Sequence, residues 1–148
     1  MNWYWIQIVF FLFMVWYPFV HGEELRQKSA EELYSEAFDA LEIGQEGRGY
    51  LLMRLAAEKK HEMAALFYGQ HLYLQNMRVR NIRGMQEGLQ WMQKGLRILK
   101  EKSYCNGYYV EYYGEKYQDL KDRYDEKADF LRHIIDHERF MESLHYGW

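Results

Sequence analysis

Two helix types alternate through the middle of this 148-residue chain, and their recurrence limits it to a stack of helical hairpins. An aromatic-Tyr-Gly triplet stands at Phe67-Tyr68-Gly69 and returns 45 residues later at Tyr112-Tyr113-Gly114. The Ala56-Ala57 pair has its counterpart 39 residues on, in Gly95-Leu96. A unit of that length cannot bury its own apolar face, so copies must stack on one another. One proline, with 49% hydrophobic and 18% aromatic residues, favours packed helices over a turn-rich β fold.

Taken in order, the chain predicts six helices. Ser29-Ala30-Glu31-Glu32 is a capping box and starts the first, whose Leu33, Tyr34, Ala37, Phe38 and Leu41 fall on one face. Gly44, Gly47 and Gly49 stop it and turn the chain into a second helix over residues 48–59, apolar at Leu51, Leu52, Leu55 and Ala56. A third helix covers residues 61–75, where the missing side chain of Gly69 admits a close neighbour. Residues 76–84 read as a loop with Arg78, Arg80 and Arg83 and no acid. The fourth helix, residues 85–102, presents Leu89, Met92, Leu96 and Leu99. After Asn106-Gly107 come a tyrosine-rich fifth helix to residue 122 and a sixth over residues 124–144. The expected fold is all-α: three stacked antiparallel helix pairs in one domain, residues 23–148, after an N-terminal signal segment, residues 1–22.

That segment carries nine aromatics and no charge through residue 20, an apolar stretch from Ile6 to Val15, Pro18 to end it, and Val20-His21-Gly22 as a cleavage site. Cleavage after Gly22 places the chain in the periplasm or outside the cell; an uncleaved segment leaves it anchored in the inner membrane facing outward. A single cysteine, Cys105, precludes an intramolecular disulfide and reads as a buried thiol at a helix start. Charge is segregated, with −5 over residues 23–44, +6 over 45–102 and −4 over 103–148, a distribution that pairs neighbouring helices or steers a partner.

The middle of the chain resembles the SEL-like repeats, relatives of the tetratricopeptide repeats. Ala65-Leu66-Phe67-Tyr68-Gly69-Gln70-His71-Leu72-Tyr73 is similar to the family's first helix, and Glu87-Gly88-Leu89-Gln90-Trp91-Met92-Gln93-Lys94-Gly95-Leu96 to its second. The likeness covers about residues 48–118, departing at the arginine segment, at Gly95-Leu96 and at Val110-Glu111-Tyr112-Tyr113-Gly114. It implies an α-solenoid that binds other proteins, and for small exported members an adaptor, or an immunity protein that blocks a co-encoded toxin.

Candidate sites follow from side-chain chemistry. Tyr108, Tyr109, Tyr112, Tyr113 and Tyr117 pair large apolar rings with polar tips, and they span too wide an arc of one helix for all to face inward. Arg78, Arg80 and Arg83 suit a carboxylate-rich protein surface. Tyr109, Tyr112, Tyr113 and the three arginines are therefore the expected partner contacts. His133 and His137 stand one turn apart, the spacing of two metal ligands, with Asp129, Glu138 or His145 as a third; Ile134 occupies the place of the zinc-peptidase glutamate. They are a weak metal candidate and the basis of an alternative small metal-dependent enzyme. The chain has no threonine, no Gly-x-Ser-x-Gly and no phosphate-cradling glycine loop, and the expectation is a non-catalytic protein without cofactor. Export and a net charge of −3 argue against nucleic acid. A membrane-anchored envelope scaffold is the other alternative.

Overall fold

The computed structural model describes residues 22, 24–102 and 107–145, so all of the expected signal segment except Gly22, and Cys105, lie outside the described residues. Five long helices follow Ser29: α1 (Ala30–Glu42), α2 (Glu46–Glu58), α3 (Glu62–Arg78), α4 (Ile82–Glu101) and α5 (Gly107–His145). No strand occurs among the described residues, and the all-α expectation holds. The capping box is formed: Ser29 Oγ accepts from the Glu32 amide at 3.2 Å, and the Glu32 carboxylate accepts from the Ser29 amide at 2.7 Å.

The first three helix connections share one geometry. Each is three residues long, and its middle residue has positive φ: Gly44 at 77°, Lys60 at 66° and Arg80 at 56°. The next amide then reaches back to a carbonyl five residues earlier, Gln45 to Ala40 at 2.8 Å, His61 to Ala56 at 3.1 Å and Asn81 to Asn76 at 2.9 Å, which closes a Schellman turn. This corrects the expected loop over residues 76–84. Without proline or glycine before Gly84, α3 runs on through Arg78, and Asn81 caps α4 by accepting from the Gly84 amide at 3.2 Å.

Contacts fix the directions. Tyr34 stacks on His61, Phe38 meets Phe67, Phe67 meets Tyr113, and the Tyr73 hydroxyl donates to the Leu120 carbonyl at 2.8 Å, so α1, α3 and α5 run parallel. Short turns make α2 antiparallel to α1 and α4 antiparallel to α3. The tightest contact joins α3 to α4. A methyl at Gly69 would lie 2.6 Å from the Gly88 carbonyl oxygen, one at Gly88 2.6 Å from the Tyr73 amide nitrogen, and one at Gly95 2.8 Å from the Glu62 carbonyl oxygen. Backbone packs on backbone here, as the sequence indicated for Gly69. Leu33, Ala37, Leu52, Met53, Ala56 and Ala64 form one core, Leu66, Tyr73, Met85, Met92 and Leu120 a second, and Phe67 packs against both.

The expected fifth and sixth helices are one helix of 39 residues. Nothing breaks it: Gly114 is the only glycine between Tyr108 and His145, and no proline is present. Across the expected break, i,i+4 pairs of Lys121 with Asp125, Arg123 with Asp119 and Gln118 with Asp122 tie successive turns together. After a helical stretch at residues 24–27, the described residues thus form two antiparallel pairs and one long final helix, rather than three pairs.

Gly88→Ala is expected to lower stability by about 1–3 kcal/mol, because the added methyl overpacks a backbone contact. Gly114→Ala, with open space at its Cβ, is expected to gain up to about 1 kcal/mol of helix propensity. Thermal unfolding followed by circular dichroism reads both signs. A Gly88→Ala chain as stable as the parent would refute the close approach.

Candidate functional site

Three parallel helices side by side bring aromatic rings from distant parts of the sequence into a ladder. Tyr34 stacks on the imidazole of His61 at 4.0 Å and meets Phe38 edge-on at 5.0 Å. Phe38 meets Phe67 at 5.7 Å, Phe67 meets Tyr113 at 6.0 Å, and Tyr113 touches both Tyr109 at 6.5 Å and Tyr112 at 5.1 Å. Offset and edge-on contacts of this kind add to the gain from burial alone. Three of its rungs are open: Phe38, Tyr109 and Tyr112 are 38%, 41% and 40% exposed. Tyr113 is buried and supports the ladder from below, and Tyr117 packs against the second core. Of the expected tyrosine contacts, Tyr109 and Tyr112 therefore face outward and Tyr113 does not.

The electrostatics of this face come from its hydroxyls and its rim. Burial pushes the Tyr34 hydroxyl up to about 12, helped by Tyr113, Glu31, Glu62 and Tyr109 nearby. Burial likewise raises Tyr113, reinforced by Tyr112 and Tyr109. Burial also favours the neutral form of Glu62, but the Lys102 ammonium, 2.7 Å away, together with the residue's own amide and His61, outweighs it and holds the carboxyl below its ordinary range. The Lys116 ammonium lies 4.8 Å from the centre of the Tyr112 ring.

His61 anchors one end, a role the sequence did not disclose. Its Nδ1 accepts from the Ala64 amide at 3.2 Å and so caps α3, which leaves the proton on Nε2, 3.0 Å from the Glu31 carboxylate. The available signal was a polar residue directly before Glu62, at a helix start. Beside the ladder, where α1, α2 and α3 meet, a groove of about 270 Å³ is lined by Phe38, Leu41, Tyr50, Met53, Phe67 and His71 among others. Sequence reasoning missed it because it needs the register of all three helices.

The expected arginines sit elsewhere. Arg78 lies in the last turn of α3, Arg80 in the left-handed middle of the turn and Arg83 in the first turn of α4, all exposed. Arg78 is eleven residues beyond Phe67, about 16 Å along the helix axis, so the structure does not gather arginines and tyrosines into one patch. Arg83 instead borders a groove along α4 with Glu87, Gln90, Trp91 and Lys94, and a second groove adjoins it with Lys94, Arg97, Lys100 and Tyr117. Four residues of the basic middle, Arg83, Lys94, Arg97 and Lys100, thus lie along one flank of α4. His133 and His137 are both exposed on the outer half of α5, where Asp129 is paired with Arg132. Among the described residues, no three of His, Cys, Asp and Glu come together as a metal site; the side chain of His145 lies outside the described residues. No helix of the described residues is long and apolar enough to cross a membrane.

Family models, curated proteins and solved structures yield no match to this chain.

Tyr34 gives this face a measurable signature. Its hydroxyl titrates near 10 in the unfolded chain and about 12 in the folded one, so the folded chain holds the proton more tightly. That contribution is complete below pH 10 and is lost as pH rises through about 12. Alkaline difference spectra should lose their last phenol in Tyr34→Phe, and the alkaline fall in stability should become shallower. Identical curves for the two chains would place Tyr34 in solvent.

Proposed function

We propose that this chain is a non-catalytic protein-binding module, built as a short α-solenoid of the SEL-like and tetratricopeptide kind, whose partner docks on the face shared by α1, α3 and α5. The observation that carries this is the ladder, in which the apolar ring of Phe38 and the hydroxyl-tipped rings of Tyr109 and Tyr112 stay part-exposed on a packed base. Such side chains supply much interface area for little conformational entropy. Tyr113 positions Tyr109 and Tyr112 from beneath. Arg78, Arg80 and Arg83 form a second contact for a partner long enough to span about 16 Å.

Within this reading, an exported location rests on the apolar residues 1–20, and an immunity or adaptor role rests on the family resemblance. An immunity protein would cover a toxin's active site with this face. An adaptor would hold two envelope proteins together.

Affinity capture from the native cell envelope tests the proposal. The wild-type chain is expected to retain one stoichiometric protein partner. Tyr109→Ala with Tyr112→Ala, checked for unchanged helicity, should weaken that complex at least about tenfold, because truncating interface aromatics commonly costs more than 1 kcal/mol. A substitution of all three arginines should cost less. Absence of any partner for the wild-type chain, or a complex indifferent to the tyrosine pair, would overturn the assignment.

A further inference from the structure

Along the first half of α5 the apolar side faces the body of the protein, with Tyr113 and Leu120 buried and Tyr117 and Tyr124 packed against the second core. Leu131 and Ile135 continue the same side about two and three helical turns beyond Tyr124, and Ile134 and Met141 widen it. Here nothing covers it among the described residues: Phe130, Leu131, Ile134, Ile135 and Met141 are 65%, 36%, 38%, 46% and 45% exposed.

The pattern within this stripe names its occupant. Tyr124, Lys127, Leu131, Ile134, Glu138 and Met141 follow steps of three and four, the seam of a coiled coil. They are also symmetric about the midpoint between Arg132 and His133. Turned antiparallel about that point, Leu131 opposes Ile134, Lys127 opposes Glu138 and Tyr124 opposes Met141. The two charges lack counterparts on their own helix. Lys127 has only Arg123, Tyr124, Phe130 and Leu131 at three and four residues' distance, and Glu138 has only Ile134, Ile135, Met141 and Glu142. By contrast Lys121, Arg123 and Arg132 each find an acid within α5. A lysine and a glutamate stranded in an apolar seam are satisfied together when a second, inverted copy of the same helix lies against it.

We propose that two copies of this chain pair through the outer halves of α5 as an antiparallel coiled coil, with Lys127 of each copy bonded to Glu138 of the other. The seam is separate from the aromatic ladder and does not rest on the function proposed for it.

Sedimentation equilibrium of the chain as its cell processes it, over a dilution series, tests this. The wild type is expected to be a dimer. Lys127→Glu and Glu138→Lys should each raise the dimer dissociation constant at least about tenfold, since each places like charges in both seam contacts. The double variant Lys127→Glu with Glu138→Lys restores both ion pairs and should return the constant to within about threefold of wild type. Both positions are exposed, and unchanged helicity by circular dichroism shows that each variant folds. A wild type that is monomeric throughout, single variants without effect, or a double variant as weak as the singles would each overturn the proposal. Monomeric wild type that captures a different protein through Leu131 and Ile134 would assign the stripe to that partner instead.

Discussion

The backbone contact between Gly69 and Gly88 is the constraint on which the other positions depend. It lets α3 and α4 approach without side chains between them, and the facing pairs Gly69–Met92, Gly88–Tyr73 and Gly95–Leu66 fix their antiparallel register to the residue. With that register set, Tyr73 is buried and turned toward α5, where its hydroxyl finds the Leu120 carbonyl. The same register leaves Phe67 between the two cores, in reach of Phe38 on one side and Tyr113 on the other. A shift of one residue in the hairpin would turn Tyr73 away and remove the middle rung of the ladder. The surface chemistry of three helices therefore hangs on the absence of Cβ atoms in two.

The turns contribute differently. Lys60 and Arg80 hold a left-handed backbone that costs an ordinary side chain about 1 kcal/mol or more, yet each sits in a Schellman closure that satisfies the orphan carbonyls of the preceding helix. Directly after each strained residue comes a side-chain cap, His61 for α3 and Asn81 for α4. His61 has three functions. Its backbone amide closes the strained turn, and its ring caps α3 and stacks under Tyr34 while facing Glu31, so the entry to the second hairpin and the tilt of α1 are set together.

How much of this was legible in the sequence depends on the range of the interaction. Local signals were read well: the Ser29–Glu32 capping box and the small residue at position 69 mean the same thing in sequence and in space. The arginine segment was misread because three charged residues look like a loop, whereas a turn closed by one left-handed residue and an Asn cap needs no glycine or proline. The break expected near residue 123 came from the demand for a third hairpin, and local chemistry overrode it with three i,i+4 pairs and a run free of breakers. For the candidate site, tyrosines on one helix were visible, but which of them face outward was not. Burial of Tyr113 is decided by Phe67, which lies 46 residues away in sequence.

Helix α5 links the two surfaces of the molecule through its stiffness. Its first half lends Tyr109 and Tyr112 to the ladder, its second half carries the bare seam, and an uninterrupted helix of 39 residues extends about 58 Å. Tyr112 lies some twenty residues from the centre of the seam, about 31 Å along the axis. In an antiparallel pair the two ladders would therefore be held about 60 Å apart by rigid helix rather than by a flexible linker. A linker spreads its effective concentration over many separations, whereas a rigid spacer concentrates it at one. Pairing through α5 would then favour partners that themselves present two sites at that spacing, and it would discriminate against monovalent ones without any change in the ladder's own chemistry.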